Sequence, residues 1–294
     1  MNVKRKRLKS VFAVGLALSM LLTGCGGESK EEEKSAKEIL TEAVEKFGTY
    51  KSYEEQSDSS GSTVTASTSE GKLYNQKMLS NLNIKTVVDG DIIYSFTKGE
   101  TDQKIPFAYL RRVSSTTHES VNMTFKDEGN VSFSSYKTSE IKEDEQNLLQ
   151  QDVDLYLKGE FASYFKLKKE KDQDNTIITI YCDDLKGYQE SYIKKKKEEN
   201  SDYDPLDYAR TGIKTSKYEI KNIEEVFTIN KEGNLIKHES KNKTDYGDGY
   251  VTDATYTSTY SNFDEAGFDL DTAKKIIDGF ASGEFQDGAV VTWK

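Results

Sequence analysis

Cysteine and histidine are nearly absent from this chain, and each scarcity closes a route to function. The two histidines, His118 and His238, are too few for a His-rich metal site. His238 alternates within a strand pattern, where an imidazole is ordinarily a surface or hydrogen-bonded residue. The two cysteines, Cys25 and Cys182, offer no disulfide framework, so the fold must rest on a core. Cys182 sits among Ile178, Ile180 and Tyr181 and reads as a small buried hydrophobe, because nothing local supplies the orienting histidine a nucleophile needs. No G-x-S-x-G, Walker A or G-x-G-x-x-G occurs, so a non-enzymatic chain without a cofactor is expected. Repeated βαβ units are missing too, which disfavours a two-lobed solute receptor.

Positive charge is also short. The chain has 41 basic against 51 acidic side chains, and setting aside five basic residues before residue 10 leaves 36 against 51. Such a balance repels nucleic-acid backbones and anionic lipid surfaces alike, so no nucleic-acid partner is expected. Only five of the basic residues are arginine, a bias that fits AT-rich coding. One apolar run stands out, Val11 to Leu22, and its twelve residues fall short of the roughly 20 that cross a bilayer.

That run follows Lys4, Arg5, Lys6, Arg7 and Lys9 and precedes Leu22-Thr23-Gly24-Cys25, the shape of a signal peptide. The four residues resemble the bacterial lipobox: Leu22 at its apolar position, Thr23 and Gly24 as small residues before the cut, and Cys25 as the thiol. The resemblance implies a signal peptide over 1–24, a diacylglyceryl and palmitate-bearing Cys25, and anchorage on the outer, extracytoplasmic face of the cell membrane. Two acyl chains hold stably where a single chain, at ~0.8 kcal/mol per buried CH₂, binds only marginally.

Residues 25–34 then form a glycine-led, charged tether expected to be disordered. Ser35 opens a helix with Glu38 completing a capping box, and Ala36, Ile39, Leu40, Ala43, Val44 and Phe47 make one apolar stripe closed by a C′ Gly48. Beyond Tyr50 the apolar period changes from 3.6 to 2. Hairpins are expected at Asp89-Gly90, at 126–130, at 169–175 and at 230–234. Helices are expected over 143–164 and 185–200 and from an Asp271 cap through Phe280, followed by a tail holding Trp293. The polar stretch Ser57 to Ser69 reads as an edge strand with a mobile loop. Asp245, Asp248 and Asp253 invite comparison with a calcium loop, but placing Gly249 at the template's glycine puts Tyr246 on a ligand position, so solvated acids are the simpler reading.

The order of these features, with AKEILTEAVEKFGTYKSY (Ala36 to Tyr53) and YTSTYSNF (Tyr256 to Phe263), resembles Gram-positive lipoproteins similar to the lipoprotein-carrier (LolA/LppX-like) group. The resemblance implies a single α+β domain over 35–294, a large twisted antiparallel sheet forming a half-barrel with helices on its concave face. It carries over no ligand residues. If alternating residues share that face, Ile92, Tyr94, Phe96, Val121, Met123, Phe125, Phe227 and Ile229 line an apolar cavity for a lipid or other amphiphile. The alternative is an interaction or envelope-sensing domain that docks a protein partner and takes no small ligand.

Overall fold

Ser35 starts the first helix as its chemistry requires. In the computed structural model, which describes residues 34–100, 106–127, 130–140 and 148–292, its side chain accepts from the Glu38 amide while Glu38 accepts from the Ser35 amide. Helix α1 (Ala36–Phe47) buries Leu40, Ala43 and Val44, and the first and last contribute about 1.5–3 kcal/mol each by burial. Gly48 ends the helix in right-handed backbone, φ −65°, and not in the left-handed conformation expected of it.

Six strands follow as hairpins: β1 (Ser52–Ser67), β2 (Lys72–Asp89), β3 (Ile92–Glu100), β4 (Pro106–Val113), β5 (Thr117–Asp127) and β6 (Asn130–Glu140). Asp89 pairs with Ile92, so Gly90-Asp91 is a two-residue turn with Gly90 at φ +61°, a value that glycine adopts without strain. Helix α2 (Leu148–Leu157) leads into β7 (Phe165–Asp172) and β8 (Asn175–Cys182), joined through Gln173-Asp174, a tighter turn than the sequence suggested. Helix α3 (Leu185–Glu199), β9 (Glu219–Ile229), β10 (Leu235–Asp245), β11 (Val251–Ser261), α4 (Leu270–Ser282) and β12 (Val290–Thr292) complete the described chain. The β9–β10 register shifts between Leu235 and Lys237, the bulge expected after Asn230–Asn234. Helix α4 is capped by Asp269, whose side chain accepts from the Thr272 amide, and Asp271 lies in the first turn.

All twelve strands join one antiparallel sheet in the order β12-β6-β5-β4-β3-β2-β1-β11-β10-β9-β8-β7, and its two ends do not pair. The fold is thus α+β, dominated by a large unclosed sheet, and the described residues belong to one compact unit. Residues directly opposite in an antiparallel pair point to the same face, so the registers sort the side chains. One face, here the front, carries Tyr53 and Glu55 of β1, Thr86 of β2, Ser95 of β3 and Arg111 of β4. In the other direction it carries Tyr260, His238, Phe227 and Ile178.

Two cores form on opposite faces. At the front, α1 and α2 place Leu40, Val44, Val153 and Leu157 on Ile178, Ile180, Phe227 and Ile229. At the back, α4 places Ala273, Ile276, Ile277 and Phe280 on Tyr94, Phe96, Leu110, Val121, Met123 and Phe133. The expectation that the helices share one face is corrected: both faces of β3 and β4 carry apolar alternates, Ile93, Tyr109 and Val113 at the front and Tyr94, Phe96 and Leu110 at the back, and one helical layer covers only one of them.

The stretch read as an edge strand is corrected as well, since β1 lies between β2 and β11 in mid-sheet. Its polarity has another cause. Neither helical layer covers it, and its side chains bond across strands: Ser59 to Ser80 at 2.7 Å, Asn81 to Asp58 at 2.7 Å and Ser258 to Glu55 at 2.6 Å. Gly61, at φ +112°, lets β11 approach so closely that a Cβ there would stand 2.0 Å from the Asp253 carbonyl oxygen.

Candidate binding cleft

Three rows of side chains cross the front face of β1 to β4. Glu55, Ile84, Thr97 and Tyr109 form one; Tyr53, Thr86, Ser95 and Arg111 the next; Val88, Ile93 and Val113 the third. Strands lie about 4.8 Å apart and alternate residues about 6.8 Å apart, so the rows make a floor on the order of 14 Å across. The C-terminus of α1 contributes Phe47, Gly48 and Tyr50 as a wall, and α2 contributes Leu149 and Asp152, with His238 and Tyr260 at the far side. Floor and walls enclose a cleft of about 580 Å³.

The wall is built by the two segments that carried the family resemblance. Phe47 packs on Tyr53 and on Tyr260, each with ring centroids 4.8 Å apart, and Tyr50 stacks on Phe263 at 4.5 Å. Aromatic packing of this density holds the α1 terminus against β1 and β11.

One end of the cleft is acidic. Burial pushes the Glu55 carboxyl above the usual range, against the Ser258 hydroxyl that donates to it. Asp152 is raised by burial and by the nearby Glu225 carboxylate. Glu225 itself is buried and receives Tyr156 and Ser240 hydroxyls at 3.0 Å each, while its other oxygen meets His238 Nε2 at 2.9 Å. The imidazole stacks on Phe227 at 4.5 Å, which fixes its plane. His238 lines the cleft, and Glu225 behind it holds the ring in place. Tyr53 is raised by burial and senses Glu55 on one side and Arg111 on the other. The opposite end, on β3 and β4, holds Ser95, Thr97 and Arg111.

None of the expected cavity residues lines this cleft. Ile92, Tyr94, Phe96, Val121 and Met123 point to the back and pack under α4, whereas Phe227 and Ile229 lie in the front core under α1. The side chain of Phe125 lies outside the described residues. The other seven all belong to packed clusters, so the alternation found two cores where one cavity was expected. The missed residues are the other alternates of the same strands. The doublets Val87-Val88, Ile92-Ile93 and Tyr109-Leu110 signalled strands covered on both faces.

The other sequence candidates separate cleanly. Asp245 meets Lys217 at 3.0 Å and Asp253 meets Lys243 at 2.6 Å, and no group of three metal-ligating residues occurs among the described residues. Cys182 is half-buried beside the front core, and burial raises its thiol. Leu22, Thr23, Gly24, Cys25, the tether to residue 33 and Trp293 lie outside the described residues. Among those described, no helix is long and apolar enough to cross a membrane. A second hollow of about 400 Å³ is walled by Tyr192, Tyr203, Tyr208, Tyr218 and Tyr246. The chain matches no protein-family model and no curated protein.

Proposed function

We propose that this chain is an extracytoplasmic, lipid-anchored binding protein that holds an amphiphilic ligand between the front face of its sheet and helices α1 and α2. The cleft carries the reading: at about 580 Å³ it falls within the roughly 300–1,000 Å³ of small-molecule sites, and it joins an aromatic and aliphatic wall to a few convergent polar groups. On this reading the unclosed sheet is a half-barrel whose concave side is the cleft face, similar in plan to the lipoprotein-carrier group. Cys25, diacylglyceryl-modified and preceded by Leu22, Thr23 and Gly24, holds it on the outer face of the cytoplasmic membrane. Ligand holding needs no reaction and no cofactor.

Two measurements test this. The mature wild type should partition into detergent while Cys25→Ala leaves an uncleaved or miscut precursor; a wild type found wholly in the aqueous phase removes the anchor. Gentle extraction of the purified protein followed by mass spectrometry should find a stoichiometric amphiphile. A protein that carries none, and binds none when offered, would leave the protein-docking domain as the better account.

A further inference from the structure

We infer that the cleft selects an anionic amphiphile, its carboxylate or phosphate head held by Arg111 with Thr97 and Ser95. The inference rests on the binding reading above and adds the charge and position of the head. Ser95 lies directly opposite Arg111 across β3 and β4, and Thr97 follows on the same face. All three line the cleft.

Thr97 supplies the sharpest observation. Its residue is 1% exposed, and among the described residues its hydroxyl has no hydrogen-bond partner. A buried hydroxyl without a partner is costly, and native folds keep one where something else completes it. Turned about its χ1 bond toward the cleft that the residue lines, the hydroxyl would donate to an anionic oxygen there. Ser95 shares a 3.3 Å contact with Thr86, so its hydroxyl can turn between them.

Arginine is the second observation. Only three arginines follow Cys25 in this lysine-rich chain, Arg111, Arg112 and Arg210. Arg112, on the back face, is committed to Glu119 at 2.6 and 2.9 Å and to Asp278 at 2.5 Å. Arg111 faces the cleft, and although it already has an interaction of its own, a guanidinium offers five donors in a fork that fits carboxylate and phosphate. The carboxylates that would repel an anion, Glu55 and Asp152, stand toward β1 and α2, with Asp91 at the turn. A head at the β3–β4 end therefore directs its tail along Val88, Ile93 and Val113 toward Phe47 and Leu149. The chain's net negative charge opposes any anion, and at this end of the cleft the Arg111 guanidinium offsets it locally.

The test holds the tail constant. Laurate, dodecyl phosphate, dodecanol and dodecylamine are titrated against the mature full-length chain by calorimetry at neutral pH. Laurate or dodecyl phosphate should bind at least tenfold tighter than dodecanol and dodecylamine, the stronger of the two naming the head. Arg111→Gln and Thr97→Val should each weaken that ligand about tenfold and dodecanol by a clearly smaller factor. Thr97→Val should also keep or raise the Tm, because it removes a hydroxyl the empty protein does not satisfy. Equal binding of all four would overturn the inference and leave the amphiphile reading standing, whereas no binding by any would overturn both. A lowered Tm for Thr97→Val with anion binding intact would show the hydroxyl to be structural and would also overturn it.

Discussion

Tryptophan placed at Met123 and at Ile93 should have opposite consequences, although the residues lie on neighbouring parts of one sheet. Met123 is 2% exposed and packed among Leu110, Val121 and Phe133 beneath Ile276 and Ile277. A side chain enlarged there has no space to enter, and overpacking of that kind costs about 1–3 kcal/mol. For a chain of this size each kcal/mol moves the midpoint by about 2–4 °C, so Met123→Trp should lower Tm by roughly 2–12 °C. Ile93 points the other way, into a cleft of about 580 Å³ that exceeds the added ring many times over. Ile93→Trp should therefore stay within about 0.5 kcal/mol of wild type, as surface changes do. Thermal unfolding followed by far-ultraviolet circular dichroism reads both, and the ligand titration should show Ile93→Trp blocked and any residual Met123→Trp fold still binding. Equal destabilisation of the two, or a neutral Met123→Trp, would refute the assignment of the two faces.

Glu225→Leu should cost about 2–5 kcal/mol, measured by urea unfolding, because it strands the Tyr156 and Ser240 hydroxyls and His238 in a buried site; a change under 1 kcal/mol would mean that water replaces the carboxylate. Burial holds the Glu55 carboxyl above its ordinary value of about 4.3. A raised folded value means stability is full below that ordinary value and is lost as pH rises through the folded one. Glu55→Gln should thus match wild-type Tm near pH 4 and exceed it at neutral pH, and a gap that narrows with rising pH would contradict this. Cys182, its thiol raised by burial, should react with iodoacetamide more slowly in the folded protein at pH 7 than in urea; equal rates would show an exposed thiol.

The elements themselves were legible where local chemistry decides them. Ser35 and Glu38 announced α1, the stripe Ala273, Ile276, Ile277 and Phe280 announced α4, and Gly90 and Gly233 marked two of the hairpins. Sidedness was not legible. Period 2 says that Tyr94, Phe96 and Phe227 share a face with their own strand's alternates, but which face β3 and β9 have in common depends on registers across β2, β1, β11 and β10. The front residues Ser95, Thr97 and Arg111 carried no signal, because a cleft floor mixes polar and apolar groups. The polarity of β1 reported the lack of a helical cover and was mistaken for a place at the sheet's edge. Strands β4 and β12 went unread, the first because Arg111 and Arg112 interrupt its apolar run and the second because three residues carry no period.

The polar stretch of β1, which carries no helical layer, has a geometric consequence. The two cores lie on either side of it, and what joins them there is mostly backbone hydrogen bonding and short polar side chains. The cleft straddles this line, since its floor belongs to β1 through β4 while α1, α2, His238 and Tyr260 belong to the other half. The twist of the sheet about β1 therefore sets how far the cleft floor stands from its α1 and α2 walls.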